Sequence, residues 1–279
     1  MKNFLHYLYV IMHIFVTTRN IRVLIYVLNV CFLWLLWKKW DFFQKKYIKK
    51  ASKFRDLIVN TNHGEYLCSN FHDFLEVHDN YELETNDIIK KITKDVRNTK
   101  DKYLINVWCN VWRWAIACAK VYWYNVIAFE PAPETYRRLK INILLSNLDN
   151  KIETYNIWLW DRNETIKFEY VPEWNGGSHV IQSDTKTGWN IIEIPIKKFD
   201  DLWIDKEKIE KTKLVIMDVE WFELNVLKWM ENTLKEFKDV KLIIEIHDTN
   251  KNRNETMNFM ADLWFSAEKI DNLNYLFSK

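Results

Sequence analysis

The run Asn106-Val-Trp-Cys-Asn-Val-Trp112 lies between an apolar segment and a helical one, which is the setting of a nucleotide-binding turn. Such a turn needs glycine, because a residue without Cβ can take a positive φ and let a ligand reach the free N–H groups of the next helix. Trp108 and Trp112 occupy the two positions where glycine is expected. The printed sequence therefore predicts an obstructed pocket at this turn.

The counts of tryptophan and glycine point the same way. The chain of 279 residues has 15 Trp and 4 Gly, whereas ordinary usage predicts roughly 20 Gly in a chain of this length. We hypothesise that many of the tryptophans are UGA codons that the source organism reads as glycine. The codon sequence tests this hypothesis, and UGG at codons 108, 112, 221 and 229 would contradict it.

Glu130 follows the apolar run Asn125-Val-Ile-Ala-Phe129. It lies about 20 residues past the turn, where an acid commonly holds ribose hydroxyls. One carboxylate can accept hydrogen bonds from both hydroxyl groups. The turn and Glu130 together predict a site for an adenosine-containing cofactor.

Asp218 and Glu220 stand two residues apart after a later apolar run, so both can face the crevice at the carboxyl ends of the strands. A carboxylate there could orient or deprotonate a hydroxyl group. Glu220 or Glu223 could instead cap the next helix. We favour Asp218 for the site and leave both roles open for Glu220 and Glu223.

Glu245 and His247 share one face at the end of another apolar run. The ordinary histidine pKa of about 6.5 suits proton transfer near neutral pH, and Glu245 or Asp248 could fix the histidine tautomer. We therefore predict a catalytic set of Asp218, Glu220, Glu245 and His247. We predict no metal, because acids and one histidine on two strand ends fit oxygen-rich metal sites only loosely.

The pattern of apolar runs predicts the elements that position these residues. Short β-branched runs predict parallel strands at 103–107, 125–129, 214–219 and 241–246, and helical spacing predicts helices at 83–98, 112–122, 133–146 and 222–237. This alternation predicts an α/β fold, a parallel sheet with helices on both faces. Residues 164–196 predict a hairpin-rich insertion around Asn175-Gly-Gly-Ser178, and 265–270 with 274–277 predict a closing antiparallel pair.

The first part of the chain has a different character. Its apolar runs at 4–16 and 21–37 are shorter than the ~20 residues that span a bilayer comfortably. We predict a helical N-terminal extension at 1–51 and one domain at 52–279. The extension either anchors the chain to a membrane or packs on the domain or on a second subunit. The lysines that follow would leave the C-terminal portion on the cytoplasmic face of that membrane.

The net charge and the cysteine pattern argue against several classes of protein. A net charge of +2 gives no field that favours a nucleic-acid partner. The four cysteines have neither paired metal-type spacing nor the density of a secreted scaffold, which indicates reduced thiols and a cytoplasmic location. Cys109 fits a small space-filling role in the turn better than the role of a nucleophile.

Several runs together resemble the FkbM-type methyltransferases, from roughly residue 55 to the end of the sequence. They are V-I-A-F-E-P-A-P-E-T-Y-R-R-L-K-I-N from Val126, N-I-W-L-W-D from Asn156, L-V-I-M-D-V-E-W-F-E-L-N-V-L-K-W-M from Leu214 and L-I-I-E-I-H from Leu242. The resemblance improves when glycine is read at Trp108, Trp112, Trp160, Trp203, Trp221, Trp229 and Trp264. Trp114 and Trp174 are not positions where the family demands glycine.

The resemblance implies a Rossmann-like class I methyltransferase fold, a mostly parallel seven-stranded sheet with helices on both faces. It implies that the chain binds S-adenosylmethionine and methylates a hydroxyl of a sugar, glycan or small metabolite, over which the insertion closes. By motif, it assigns the cofactor to Asn106, Trp108, Asn110, Trp112, Glu130 and Asp161, with Asp161 near the adenine at the end of the third strand. The family commonly has Asp at position 106, and asparagine there adds no negative charge toward the cofactor amino group.

Two other functions stay open. If the tryptophans are real, indoles occupy the cofactor turn and the chain fits a non-catalytic, membrane-tethered module better. A dinucleotide oxidoreductase is less favoured, because the chain lacks the full glycine triplet and a second mononucleotide-binding half. The sequence pattern does not determine the acceptor, the oligomeric state or whether residues 4–37 enter a bilayer.

Overall fold

The computed structural model describes residues 57–68, 73, 77, 82–96, 98–109, 113–170, 179–180, 190–219, 222–247 and 250–279. The chain divides into two compact units, Met1–Tyr81 and Glu82–Lys279. The predicted boundary at residue 52 stays a prediction. The apolar runs at 4–16 and 21–37 lie outside the described residues, so membrane attachment through them also stays a prediction. Among the described helices, none has the length and apolar character needed to cross a bilayer.

The first unit contains a short hairpin. Its strands are β1 (Leu57–Asn60) and β2 (Glu65–Cys68), which pair antiparallel. Thr61 Oγ1 accepts hydrogen bonds from the backbone N–H groups of His63 at 3.1 Å and Gly64 at 3.2 Å. A threonine hydroxyl that binds nearby backbone in this way stabilises the tight turn.

The second unit holds the remaining described strands and helices. Its strands are β3 (Tyr103–Val107), β4 (Asn125–Phe129), β5 (Ile152–Tyr155), β6 (Trp158–Leu159), β7 (Glu164–Tyr170), β8 (His179–Val180), β9 (Asn190–Lys197), β10 (Thr212–Met217), β11 (Lys241–Glu245), β12 (Ser266–Lys269) and β13 (Asn274–Ser278). Its helices are α1 (Leu83–Asp95), α2 (Arg113–Val121), α3 (Pro133–Leu145), α4 (Lys206–Glu210), α5 (Glu223–Trp229), α6 (Glu231–Glu236) and α7 (Asn250–Asp262).

Seven strands form the central sheet, in the order β12-β13-β11-β10-β3-β4-β5. The strands β11, β10, β3, β4 and β5 run parallel, and β13 pairs antiparallel with both β11 and β12. Strands β3, β4, β10 and β11 are almost entirely buried and β-branched, as parallel strands covered on both faces are. The mostly parallel seven-stranded sheet and its closing antiparallel pair are therefore confirmed.

The strand order contains a reversal beside β3. From β3 the chain proceeds outward to β4 and β5 on one side, and later returns to β10 and β11 on the other. Because such crossovers are right-handed, the helices of the two halves cover opposite faces of the sheet. The carboxyl ends of β3 and β10 flank the crevice at this switch point, where open α/β sheets bind their ligands.

The helix predicted at 222–237 is wrong in one respect, because it is two helices that meet at Met230. The carboxylate of Asp200 accepts hydrogen bonds from backbone N–H groups at the start of the second helix, α6. Its Oδ2 accepts from the Asn232 N–H at 2.9 Å, and its Oδ1 accepts from the Thr233 N–H at 3.1 Å. This cap comes from a residue far away in the sequence, so the local helical pattern does not reveal it.

The insertion is an antiparallel structure, as predicted. Strand β7 pairs antiparallel with β8 and β9, and β6 pairs parallel with β9, so the four strands form a second sheet in the order β6-β9-β7-β8. The loop Asn175-Gly-Gly-Ser178 lies outside the described residues.

Two helices of the second unit end in the same backbone motif but with different residues. After α3, Leu148 N donates to Ile143 O and Asn147 N to Leu144 O, with Asn147 at φ 56°. After α7, Phe265 N donates to Met260 O and Trp264 N to Ala261 O, with Trp264 at φ 69°. These are Schellman motifs, whose left-handed position takes glycine or asparagine. Asn147 fits this preference, whereas Trp264 does not.

Candidate active site

The turn after β3 begins with a tryptophan in the left-handed region. Trp108 has φ 55°, and the next residue, Cys109, donates its N–H to Phe129 O at 2.9 Å. A bulky side chain at positive φ is a steric outlier, whereas glycine adopts this conformation freely. The backbone therefore takes the shape that a glycine turn has. Asn110 and Trp112 lie outside the described residues.

An aromatic cluster fills the space beside this turn. Its members are Trp108, Trp158, Trp160, Phe222 and Trp229. The ring centroids of Trp108 and Trp158 are 4.7 Å apart, those of Trp160 and Phe222 are 4.8 Å apart, and those of Trp160 and Trp229 are 5.4 Å apart. Trp108 is 9% exposed and Trp158 is 3% exposed. The indoles thus occupy the crevice in front of the parallel strands.

Little room is left inside the crevice. A cavity lined by Val107, Trp108, Phe129, Pro131, Ile157, Trp158, Leu159, Val219 and Val226 has a volume of about 10 Å³. That volume holds about one water molecule, whereas ligand pockets measure about 300–1,000 Å³. The obstructed pocket that the printed sequence predicts is present at this place.

Asn106 lies on β3 just before the turn and is 2% exposed. Its Nδ2 donates to Ile216 O of β10 at 3.4 Å. Its Oδ1 is buried and accepts no hydrogen bond from the described part of the chain. Burying a polar atom without a partner costs free energy, so this oxygen favours a donor supplied from outside the chain.

Glu130 follows β4 directly and is 1% exposed. Its Oε1 accepts the Ala132 N–H at 2.9 Å. Asn156 fixes the backbone of the same segment, because its Nδ2 donates to Glu130 O at 2.8 Å and to Pro131 O at 3.0 Å. The sequence analysis did not single out Asn156, although it stands directly after the third parallel strand. The carboxylate and the backbone of Glu130 are thus both fixed by hydrogen bonds at the end of β4.

Asp161 is not placed as expected. The third parallel strand, β5, ends at Tyr155, and Asp161 follows β6, which belongs to the second sheet. Its side chain is 43% exposed, and Oδ1 lies 3.6 Å from Arg162 Nη1. The predicted position at the end of the third strand is therefore wrong, because the chain leaves the central sheet before residue 158. A contact with adenine stays a prediction.

Three of the predicted catalytic residues meet at the ends of β10 and β11. Ligand atoms of Asp218, Glu245 and His247 all lie within 4.8 Å of one another. His247 Nε2 is 3.4 Å from Glu245 Oε1, with the two side chains 19% and 20% exposed. Asp218 N also donates to Val107 O at 3.5 Å, which ties this group to the end of β3. We call these three residues the strand-end triad.

Two further acids, Glu220 and Glu223, follow β10, and the structure describes only Glu223. Glu220 lies outside the described residues. Glu223 starts α5, is 0% exposed and accepts a hydrogen bond at Oε2 from Asn252 Nδ2 of α7 at 3.2 Å. Phe222 is the cap residue of α5. Glu223 therefore joins two helices and lies in the first turn of α5, where the helix dipole favours an acid.

Cys109 has the environment of a space-filling residue. It is 7% exposed. Burial raises the pKa of its thiol well above the ordinary value, and the nearby Glu130 carboxylate raises it further. A protonated, buried thiol is a poor nucleophile. This agrees with the role expected from the sequence.

One curated relative has a named activity. The hexuronic acid methyltransferase AglP of Haloferax volcanii is 29% identical to this chain over 161 residues. The match covers 58% of this chain and 62% of the relative, so the chain spans less than two thirds of the length of that protein.

Among solved structures, two methyltransferases illustrate the likeness. The N-terminal domain of human METTL16, in complex with SAH, matches with a TM-score of 0.43 and 10% identity over 70% of this chain and 69% of that one. TYW2 of M. jannaschii, in complex with AdoMet, matches with a TM-score of 0.42 and 10% identity over 80% of this chain and 84% of that one. These likenesses are weak, and the fold assignment rests on the strand order.

The family comparison is more extensive. Residues 87–277 match the methyltransferase FkbM domain, a span that includes the central sheet except Ser278, together with Glu130 and the strand-end triad. That is well over half of the chain, and the chain therefore belongs to the FkbM methyltransferase domain family.

Proposed function

We propose that this chain is a methyltransferase that uses S-adenosylmethionine and acts on a sugar hydroxyl, in a form that has glycine at positions 108, 112, 160, 203, 221, 229 and 264. We call this the glycine form. The observation that carries the proposal is the meeting of three features at one switch point: the turn at Trp108, the acid Glu130 and the strand-end triad. Family membership supports methyl transfer as the reaction.

The residues of the printed sequence do not fit the cofactor. The indole of Trp108 packs on that of Trp158 at 4.7 Å, and the crevice retains a cavity of about 10 Å³. An adenosyl group cannot enter without displacing these rings. The proposal therefore depends on the identity of residue 108.

Backbone conformation supports glycine at residues 108 and 264 of the glycine form, and also at residue 123. Trp108, Trp123 and Trp264 have φ of 55°, 66° and 69°. A left-handed conformation costs roughly 1–2 kcal/mol for a residue that carries Cβ, whereas glycine pays no such penalty. Trp123 was not among the positions assigned from the family resemblance. Its conformation also favours glycine there, although the glycine form as defined above keeps Trp123.

Exposure supports the same hypothesis. Trp123, Trp203 and Trp264 are 74%, 101% and 85% exposed. Indoles bury large apolar areas in most proteins, so tryptophans that remain in water gain little from their size. Glycine at these positions would remove exposed apolar surface, and at residues 123 and 264 it would also remove backbone strain.

In the glycine form, the chain offers groups that match an adenosyl amino acid. Asn106 Oδ1 is buried without a partner among the described residues and can accept a hydrogen bond from the amino group. Glu130 stands at the end of β4, where its carboxylate can accept the ribose hydroxyls. The cofactor supplies an electrophilic methyl group, and the chain supplies its position.

The strand-end triad stands where the acceptor would bind. Asp218 or His247 takes the hydroxyl proton as the acceptor oxygen is methylated, and Glu245 orients His247 across a distance of 3.4 Å. Holding the methyl group and the oxygen in line supplies most of the acceleration. A sugar as acceptor is supported by the hexuronic acid methyltransferase to which the chain is similar.

Calorimetric titration with S-adenosylhomocysteine tests the proposal. The glycine form should bind it saturably, and the printed tryptophan form should not. Glu130→Ala in the glycine form should abolish binding, whereas Glu210→Ala, which removes an exposed acid of α4, should leave it unchanged. Absence of saturable binding to a folded glycine form would overturn the proposal.

The obstructed crevice raises a second function, which the family match and the curated relative do not support. If codons 108, 112, 221 and 229 are UGG, the indoles belong to the native protein and the chain is a non-catalytic module built on the same sheet. Codon sequencing separates the two functions before any protein is made. Mass spectrometry of peptides from the source organism, read for glycine or tryptophan at residue 108, provides an independent answer.

A further inference from the structure

The strand-end triad combines the ligand types of a divalent cation site. Asp218 and Glu245 offer carboxylate oxygens and His247 offers an imidazole nitrogen, all within 4.8 Å of one another. Oxygen-rich sets suit Mg²⁺ and Mn²⁺, and imidazole is a ligand for many first-row transition metals. One imidazole with two carboxylates is therefore a set that Mn²⁺ accepts.

The spacing also suits one ion. Ligands on opposite sides of an octahedral ion with bonds of 2.0–2.1 Å lie about 4.2 Å apart, and adjacent ligands lie about 3 Å apart. His247 Nε2 and Glu245 Oε1 are 3.4 Å apart, close to the separation of adjacent ligands. The limit of 4.8 Å within which all three ligand atoms lie exceeds the separation of opposite ligands by about 0.6 Å.

The three residues have the positions that a built site requires. Glu245 ends β11, and Asp218 follows β10, its parallel neighbour, so backbone pairing fixes their separation. Glu245 and His247 are about four-fifths buried, whereas Asp218 is exposed. An ion held here would have the largely buried Glu245 and His247 on one side and the exposed Asp218 on the other. Two carboxylates at this distance repel each other, and a cation would relieve that repulsion.

We propose that Asp218, Glu245 and His247 bind one divalent cation, with Mn²⁺ or Mg²⁺ as the fitting ions. This differs from the expectation of no metal in the sequence analysis. Three protein ligands leave about three positions of an octahedral ion for water or for oxygens of the acceptor.

The site gives the acceptor a chemical description, and this part rests on the proposed methyltransferase function. A sugar with two neighbouring oxygens, such as adjacent hydroxyls or a hydroxyl beside a carboxylate, can occupy two of the open positions. Coordination lowers the pKa of the bound hydroxyl, and because His247 is then a ligand, the second carboxylate oxygen of Asp218 takes the proton. The cation thereby selects chelating sugars over simple alcohols.

Titration of the glycine form with Mn²⁺ alone, after treatment with a chelator, tests the cation site. Calorimetry should give one Mn²⁺ per chain. Asp218→Asn and Glu245→Gln should each weaken binding by more than roughly tenfold, since loss of a ligand costs at least as much as loss of a residue that orients one. Glu268→Gln, which makes the same charge change on exposed strand β12, should bind Mn²⁺ like the parent.

A spectroscopic measurement identifies the nitrogen ligand. Pulsed electron paramagnetic resonance of the Mn²⁺ complex should show coupling to a nitrogen nucleus, and His247→Gln should remove it. Circular dichroism of each variant checks that the fold is intact.

The outcomes separate the cation site from the proposed function. Folded protein that binds S-adenosylhomocysteine but no stoichiometric Mn²⁺ overturns the cation site and leaves the methyltransferase proposal standing. Stoichiometric Mn²⁺ binding without S-adenosylhomocysteine binding overturns the methyltransferase proposal and leaves the cation site standing. Mn²⁺ binding that is equal in Asp218→Asn and the parent also overturns the cation site.

Discussion

The indoles of Trp108 and Trp158 pack against each other with ring centroids 4.7 Å apart and an interplanar angle of 50°. Trp108 projects from the turn after β3 and Trp158 from β6, so the pair joins the central sheet to the second sheet across the crevice. The same contact closes the place where an adenosyl group would lie. This pair is therefore part of the aromatic cluster that fills the crevice.

Trp108→Gly in the printed sequence should destabilise the protein without ligand. Removal of a buried indole costs about 3–5 kcal/mol, whereas relief of the left-handed conformation returns only about 1–2 kcal/mol. Urea unfolding should therefore show a net loss of roughly 1–4 kcal/mol. An unchanged or increased stability would mean that the indole contributes little packing.

Trp264→Gly should have the opposite effect. The indole is 85% exposed, so little burial is lost, and φ is 69° in a Schellman motif. Relief of about 1–2 kcal/mol, less the roughly 0.5–1 kcal/mol that glycine loses through unfolded-chain entropy, leaves a gain of up to about 1.5 kcal/mol. Thermal unfolding measures it.

Trp203→Gly is the matched control for that substitution. Trp203 is 101% exposed but is not among the described residues with positive φ. It should show no gain in stability. Equal stabilisation by both substitutions would rule out backbone strain as the cause.

Glu223→Ala should lower stability without changing cofactor or Mn²⁺ affinity. The buried carboxylate accepts a hydrogen bond from Asn252 Nδ2 at 3.2 Å, and a hydrogen bond to a charged group contributes about 1.5–3 kcal/mol. Chemical unfolding and ligand titration of the same variant test both statements. A loss of ligand affinity in the folded variant would instead place Glu223 in the site.

Asp271 should make part of the stability depend on acid pH. Desolvation raises the pKa of its carboxyl, but hydrogen bonds from Asn274 and Leu273 outweigh this effect, so the pKa lies below its ordinary value. The donors are the Asn274 N–H at 2.8 Å, the Leu273 N–H at 2.9 Å and Asn274 Nδ2 at 2.9 Å.

The sign follows from the depressed pKa. Asp271 stabilises the fold above the unfolded pKa of about 3.9, and this contribution is lost as the pH falls through the lower folded pKa. The stability difference between the parent and Asp271→Ala should therefore be constant near neutral pH and shrink below about pH 4. Urea unfolding across that range measures it, and a difference independent of pH would contradict the assignment.

Much of the central sheet follows from the sequence. Strands β3 and β4 have the predicted bounds, since short apolar runs of this length with β-branched residues fit buried parallel strands. The strand-end position of Glu130 follows from the same runs. The unusual glycine and tryptophan counts also predict the obstruction around Trp108.

Other features depend on contacts between distant segments. Asp161 lies outside the central sheet because residues 158–159 pair with β9 rather than extending β5, and strand pairing is not encoded in a local pattern. The break at Met230 depends on Asp200, which caps α6 from another part of the chain.

The sequence alone determined that acids and a histidine stand at two strand ends, because alternating apolar runs fix where buried strands stop. Only the tertiary structure decided that these strands are neighbours, and that Asp218, Glu245 and His247 therefore lie within 4.8 Å of one another. It likewise decided that Trp108 takes a positive φ and meets Trp158. The physical reason is that strand order and side-chain contact arise from packing of the whole core, whereas periodicity records only which residues each element buries.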